Sequence, residues 1–372
     1  MKKTAQTLYQ LRIYAHPVFW CGLAAGIIGG VLHICCKCSV AAADFVNYYL
    51  GGAVRIFLCK LTVWLPNSLA ECLVLLLPFI LAALFVHAYR VSWSNRASWR
   101  FMSLLLGVLF TVYALFVCTF ASAYNASTID SKFSLEQREV SAQELYETMQ
   151  WTVAQTNALS AEIDYIYGGF SVMHETYDSM NQKIMQAYDS LREEYPFFIP
   201  FRSRTKPVIF SEAMSYTHLT GIYTFFTGEA NINTAFPDYT IPFTAAHELA
   251  HQRGVARENE ANFVAFQALL HSDDPYLQYS AYLNMTEYLA SALAEADYDL
   301  FAQAYSQLSA PVQYEIQAYN AFFEKYADSA AADVAGAVND TYLKASGQQA
   351  GTKSYGLVVD LAVSYYYSVI SP

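Results

Sequence analysis

The chain has 372 residues and a formal net charge of −11; 55% of it is hydrophobic and only 14% is charged. Soluble domains carry about a quarter charged residues, so this composition excludes a disordered or collagen-like chain and a single ordinary soluble domain. The charge is also unevenly divided. Residues 1–120 hold nine Lys/Arg against two acids, Asp44 and Glu71 (net +7), whereas the remainder holds 12 against 30 (net −18).

Three stretches of the basic part are long and apolar enough to cross a bilayer, which takes roughly 20 residues. They run over 17–36, 69–89 and 101–121. Pro78 is expected to kink the second, and Trp64, Trp93 and Trp99 lie near the expected interfaces. The first run has no small-residue cleavage site and is read as a span, not a signal peptide. Lys2, Lys3 and Arg12 precede span one, and Arg90, Arg96 and Arg100 crowd the loop between spans two and three. The basic residues point to a cytoplasmic side for both and to everything after about residue 122 lying outside, although the longer loop between spans one and two, with Lys37, Arg55 and Lys60, weakens the bias. Phe45 to Trp64 is expected to be an interfacial helix or a partly inserted segment. All seven cysteines fall in this membrane part, and Cys35, Cys36 and Cys38 lack a second pair at zinc-finger spacing.

The acidic part, 122–372, is expected to be mainly α, with a small α+β portion. Apolar residues recur at helical spacing through 134–195, with a start near Ser134 and a break at Gly168-Gly169. Short strands are expected within 208–233, at Val208–Phe210, Gly221–Phe226 and Ala230–Asn233, with Thr227-Gly228 as the turn. Helical pattern resumes for the remainder. Its acidity argues against a nucleic-acid partner. The expected partners are the lipid bilayer and a protein or peptide substrate.

The chemical motif is His247-Glu248-Leu-Ala-His251 in a helix over 242–253. Histidines four apart share one helical face, one turn apart, the span that lets two imidazoles bind one Zn2+. Glu248 is placed to act as general base on a metal-activated water. Roughly one chain in a hundred with this histidine content would contain the five-residue pattern by chance. Pro242 suits the first turn and Gly254 a left-handed stop. A second helix starting near Ala256 brings Glu258 and Glu260 back as candidates for a third ligand, with Asn262 as supporting partner. His174, His218 and His271 read as ordinary core or surface histidines.

These residues carry a resemblance. His-Glu-Leu-Ala-His-Gln-Arg-Gly with Glu-Asn-Glu-Ala-Asn-Phe, Thr227-Gly-Glu229-Ala-Asn231-Ile-Asn233, Val338-Asn-Asp340-Thr-Tyr342-Leu-Lys344 and Ser354-Tyr355-Gly356 resemble the bacterial membrane family catalogued as domain of unknown function 3810. The resemblance covers most of the chain. It implies a zincin-like metallopeptidase domain on a three-helix anchor, with His247, His251 and Glu258 as metal ligands. It also gives the strands a role, as an edge beside the metal helix to which an extended peptide can pair. Gly221–Phe226 or Glu229–Asn233 is the candidate edge, and Glu229, Asn231 and Asn233 are expected to line the cleft. Tyr355 is the candidate phenol for an oxyanion, with Tyr342 in the same motif. The expected activity is peptide-bond hydrolysis outside the cytoplasm; the competing expectation is a non-catalytic metal- or partner-binding surface protein.

Overall fold

A computed structural model describes residues 15–371, except 137–138, 167–168 and 347 and the side chains of Thr352, Ser354 and Tyr355. Three helices are long and apolar enough to cross a membrane: α1 (Pro17–Cys38), α4 (Leu69–Val91) and the helical run Asn95–Asn125, whose regular part is α5 (Asn95–Phe116). α4 runs through Pro78, where membrane helices tolerate proline.

α1 and α5 lie parallel, joined by small residues. A Cβ on Gly22 would fall 2.1 Å from the Gly107 carbonyl oxygen, and one on Gly29 would fall 2.9 Å from Ala114 Cα. Apolar helices gain little from hiding in one another within lipid, so close backbone approach supplies the attraction. α4 runs the other way, and Ser68 caps its first turn.

Between α1 and α4 the chain forms a helical elbow: α2 (Val40–Phe45), a π-turn over Val46–Gly51, and α3 (Gly52–Thr62). Its pattern is inside out. Phe45, Tyr49, Phe57 and Leu61 are exposed, whereas Asn47, Arg55 and Thr62 are buried. Arg55 donates to the carbonyls of Thr119 (2.8 Å) and Asn47 (2.6 Å). An outward apolar face and an inward polar one suit an element with lipid outside and protein inside.

The remainder is a helical body with a small sheet. α6 (Ala142–Ser160) opens on a capping box, Ser141 with Glu144, and α7 (Tyr177–Glu194) is capped by Thr176. Helix start at Ser134 is therefore corrected: Ser134 adopts φ +57°, which a helix cannot use, and the reciprocal bonds at Ser141 set the boundary. The expected strand Val208–Phe210 is also corrected. β1 is Thr205–Pro207, and beyond it the N–H groups of Ile209 and Phe210 donate to the Glu71 carboxylate at 2.9 and 2.8 Å.

The sheet order is β1-β3-β2, with β2 (Gly221–Thr224) antiparallel and β1 parallel to the central β3 (Glu229–Ile232). Behind it lies α8 (Thr240–Gln252), every residue of which is buried. α9 (Glu258–Leu270), α10 (Pro275–Ala296), α11 (Tyr298–Tyr305), α12 (Ala310–Glu324), α13 (Ala330–Ala345) and α14 (Val358–Tyr365) follow. α10 packs on α6, and α8 and α9 pack on each other around Leu249, Phe263 and Phe266.

Body and anchor meet at a buried ion pair. Lys206 Nζ lies 2.5 Å from Glu229 Oε1, and the carboxylate also accepts from the N–H groups of Leu69 (3.1 Å) and Ala70 (3.0 Å) at the start of α4. Lys206 further donates to the Thr62 carbonyl at 2.6 Å. Removing one member of a buried pair leaves an uncompensated charge, costing about 3–5 kcal/mol. Lys206→Ala is therefore expected to lower the unfolding free energy of the full chain in detergent by about that amount. Arg202→Ala, removing a surface pair with Asp189, is expected to change it by under about 0.5 kcal/mol; equal losses in denaturant titration would refute the assignment.

Candidate metal centre

α8 presents His247 and His251 on one face, their rings 4.6 Å apart between centroids. The turn that ends it is built for a sharp return. Gly254 sits at φ +93°, and a Cβ there would fall 2.5 Å from Arg55 Nη2. Asn47 Nδ2 donates to the Gly254 carbonyl at 2.9 Å, so the elbow holds this turn from below. α9 then starts at Glu258, whose Oε2 lies 3.2 Å from His247 Nε2 and 3.3 Å from His251 Nε2.

Each imidazole is oriented through its other nitrogen. His247 Nδ1 donates to Asn262 Oδ1 and His251 Nδ1 to the Val255 carbonyl, both at 2.7 Å. Both Nε2 atoms therefore face the carboxylate, the tautomer that metal ligation uses. Asn262 Nδ2 donates in turn to the Tyr288 hydroxyl at 3.1 Å. Glu260 is elsewhere: its carboxylate accepts from Arg257 (2.7 Å) and the Ile129 N–H (3.2 Å).

The electrostatics are those of a cation site. Burial works to raise the Glu258 carboxyl, yet the two imidazoles hold it well below the usual carboxylate range. Burial works to lower His251, and Glu258 beside it overrides this and pushes it up to about 9. Burial pushes Glu248 up, against the pull of both histidines and an N–H from Tyr223. Its Oε2 is buried without a hydrogen-bond partner. Two imidazole nitrogens, one carboxylate and an orphaned carboxylate oxygen fit a zinc ion with a water beside it, and binding of the ion would release the proton held on His251. Among the described residues, His247, His251 and Glu258 are the group able to hold a metal.

β2 runs beside α8, so close that a Cβ on Gly221 would fall 2.6 Å from Glu248 Oε1. Of the two candidate edges, Gly221–Thr224 is the outer strand and Glu229–Ile232 the central one. Glu229, Asn231 and Asn233 therefore do not line the cleft. Glu229 faces the anchor, Asn231 Nδ2 bonds the Ile222 carbonyl (3.1 Å), and Asn233 Nδ2 bonds Ser215 Oγ (3.0 Å).

Two chambers flank Glu248 and His247. One, of about 630 Å³, is lined by polar and apolar surface together and includes Tyr288, Asn284 and Glu287. The other, of about 410 Å³, is mostly apolar and includes Phe116, Phe120, Phe225, Val338 and Tyr342. Phe120 lies 5.9 Å from His251 between ring centroids and 6.3 Å from Tyr342. Tyr342, close enough to Glu258 to be affected by its charge, is thus a cleft tyrosine. The Tyr355 side chain lies outside the described residues. Lys344 pairs with Asp340 on the surface, and His218, His174 and His271 bond the Tyr326 carbonyl, Asp164 and Glu194. Sequence reasoning missed Phe116, Phe120, Tyr288 and Glu287; no local pattern marks them.

An apolar-helix protein with a buried His-His-Glu constellation is the class these features define. A sequence profile described as Protein of unknown function (DUF3810) matches residues 49–363, and the chain belongs to that family. No curated protein and no solved structure matches it.

Asn262→Ala is expected to weaken Zn2+ affinity of the full chain about 10–100-fold in competition with a chelator, because the His247 ring loses its orientation; unchanged affinity would refute that role. Glu287 gives a pH test independent of metal. Burial pushes its carboxyl up to about 8, so the folded state holds a proton that the unfolded chain releases at lower pH. Stability is then lost as pH rises from the unfolded value towards 8. Glu287→Gln is expected to raise the thermal midpoint at pH 8–9 and leave it nearly unchanged at pH 4.

Proposed function

We propose that the protein is a membrane-anchored zinc-dependent metallopeptidase that hydrolyses peptide bonds outside the cytoplasm. The observation that carries this is the convergence of His247, His251 and Glu258, with Glu248 Oε2 unpartnered beside them. Bound zinc acidifies a water and polarises a carbonyl. Glu248 is placed to take the proton of the attacking water and pass it to the departing amine. Asn262 and the Val255 carbonyl keep both imidazoles in the ligating tautomer. β2 offers an extended edge next to Glu248, along which a peptide can add as a strand. Tyr342 supplies a phenol on the Glu258 side of the cleft.

A helix bearing both histidines, an adjacent edge strand and a glutamate on the following helix support a zincin-like reading of the domain. A closed structural site calls for four protein ligands; Glu260, the acid nearest in sequence, is held by Arg257 and Ile129. This favours the catalytic reading over a metal-holding surface protein. Charge supports an orientation with the body outside the cytoplasm. The elbow and the domain-side ends of α4 and α5 meet the body, and Arg90, Arg96 and Arg100 lie at the opposite end, where basic residues mark the cytoplasm.

The test is a proteome-derived peptide library incubated with the full chain in detergent. The expected outcome is chelator-sensitive hydrolysis that Glu248→Gln lowers by roughly 10²-fold or more, the range of a general acid–base contribution, while one Zn2+ stays bound. Hydrolysis undiminished in Glu248→Gln would sink the proposal.

A further inference from the structure

The apolar chamber is built partly from the anchor. Phe116 and Phe120 belong to the same helical run as the third apolar helix, Asn95–Asn125. A bilayer core of about 30 Å takes about 20 residues of helix. Counted from Arg100, the last basic residue of the loop, that length reaches Phe120. The residue beside His251 is therefore also the one at the outer edge of the hydrocarbon.

Independent features set the same level. Glu71, in the first turn of α4, holds the N–H groups of Ile209 and Phe210, whose side chains are exposed. On the hairpin, Ile222 and Phe226 are exposed as well, and Phe225 packs on Phe116 at 5.3 Å between centroids. The elbow adds the outward Phe57 and Leu61. An exposed apolar rim beside three helices of membrane-spanning length suits a lipid surface, and Ile222 and Phe225 of that rim also line the apolar chamber.

We infer that the site acts on polypeptide segments emerging from the same bilayer, cutting close to the membrane surface, with an apolar side chain seated among Phe116, Phe120 and Phe225. This rests on the peptidase reading and adds the substrate class. A peptide in free solution would have to cross the apolar rim, whereas the segment that follows a membrane-spanning helix starts at that level.

The experiment places the full chain in phosphatidylethanolamine–phosphatidylglycerol vesicles. A degenerate stalk is displayed there on a leucine-rich membrane-spanning helix, on the domain side. Sharing a membrane raises the effective concentration of every stalk position alike, so the readout is the position of the cuts by mass spectrometry. The expected cuts cluster within about ten residues of the helix, a reach of about 33 Å when extended, and vanish in Glu248→Gln. In the same vesicles, Phe226→Trp is expected to add fluorescence quenched by lipids brominated near the headgroup. Cuts spread evenly along the stalk, or unquenched Phe226→Trp fluorescence, would overturn this inference alone. No cuts by the unsubstituted protein would take the peptidase reading down with it.

Discussion

The carboxylate of Glu229 is where sheet and membrane helix become one structure. It receives the Lys206 ammonium and two N–H groups at the start of α4, with both charged side chains essentially out of solvent. A carboxylate at a helix N-terminus is favoured by the helix dipole. Here that favourable end is the entry of an apolar helix, so β3 is locked to the height at which the chain enters lipid. Lys206 extends the lock to the elbow through Thr62. Because β3 is the central strand, β2 and the face of α8 behind it inherit that height.

The His247, His251 and Glu258 group depends on the same lock through a second route. Asn47 and Arg55 close on the Gly254 turn from the elbow, and that turn leads directly to Val255, whose carbonyl orients His251. Gln252 ties the end of α8 to the hairpin through the Gly228 carbonyl at 2.7 Å. The two parts separated by the charge count are thus mechanically one. The elbow is an element whose polar residues are inside and whose apolar ones are outside.

What was legible in the chain was what is local. The two histidines and Glu248 share one helix, and Glu258 and Asn262 follow within a few residues on the next; a 3.6-residue period relates positions within a helix. Apolar runs of span length were legible because lipid demands an apolar surface along the whole helix. Arg55 was legible only as one more basic residue of a loop. Its burial depends on the carbonyl of Thr119, 64 positions away, and no periodicity encodes that contact. Glu229 was misplaced for the same reason: an acid between apolar neighbours resembles a cleft residue until its partners Lys206 and α4 are known. Phe116 and Phe120 read simply as span residues, since a helix that both crosses lipid and walls a cleft has one composition for both tasks.

His247, His251 and Glu258 are proposed to hold one zinc ion. X-ray absorption at the zinc edge on the full chain measures this directly. The account predicts a first shell of nitrogen and oxygen only, at about 2.0–2.2 Å, with outer imidazole scattering from two rings. Sulfur at about 2.3 Å would place the ion at the cysteines of the anchor and contradict it, as would a single imidazole in the shell.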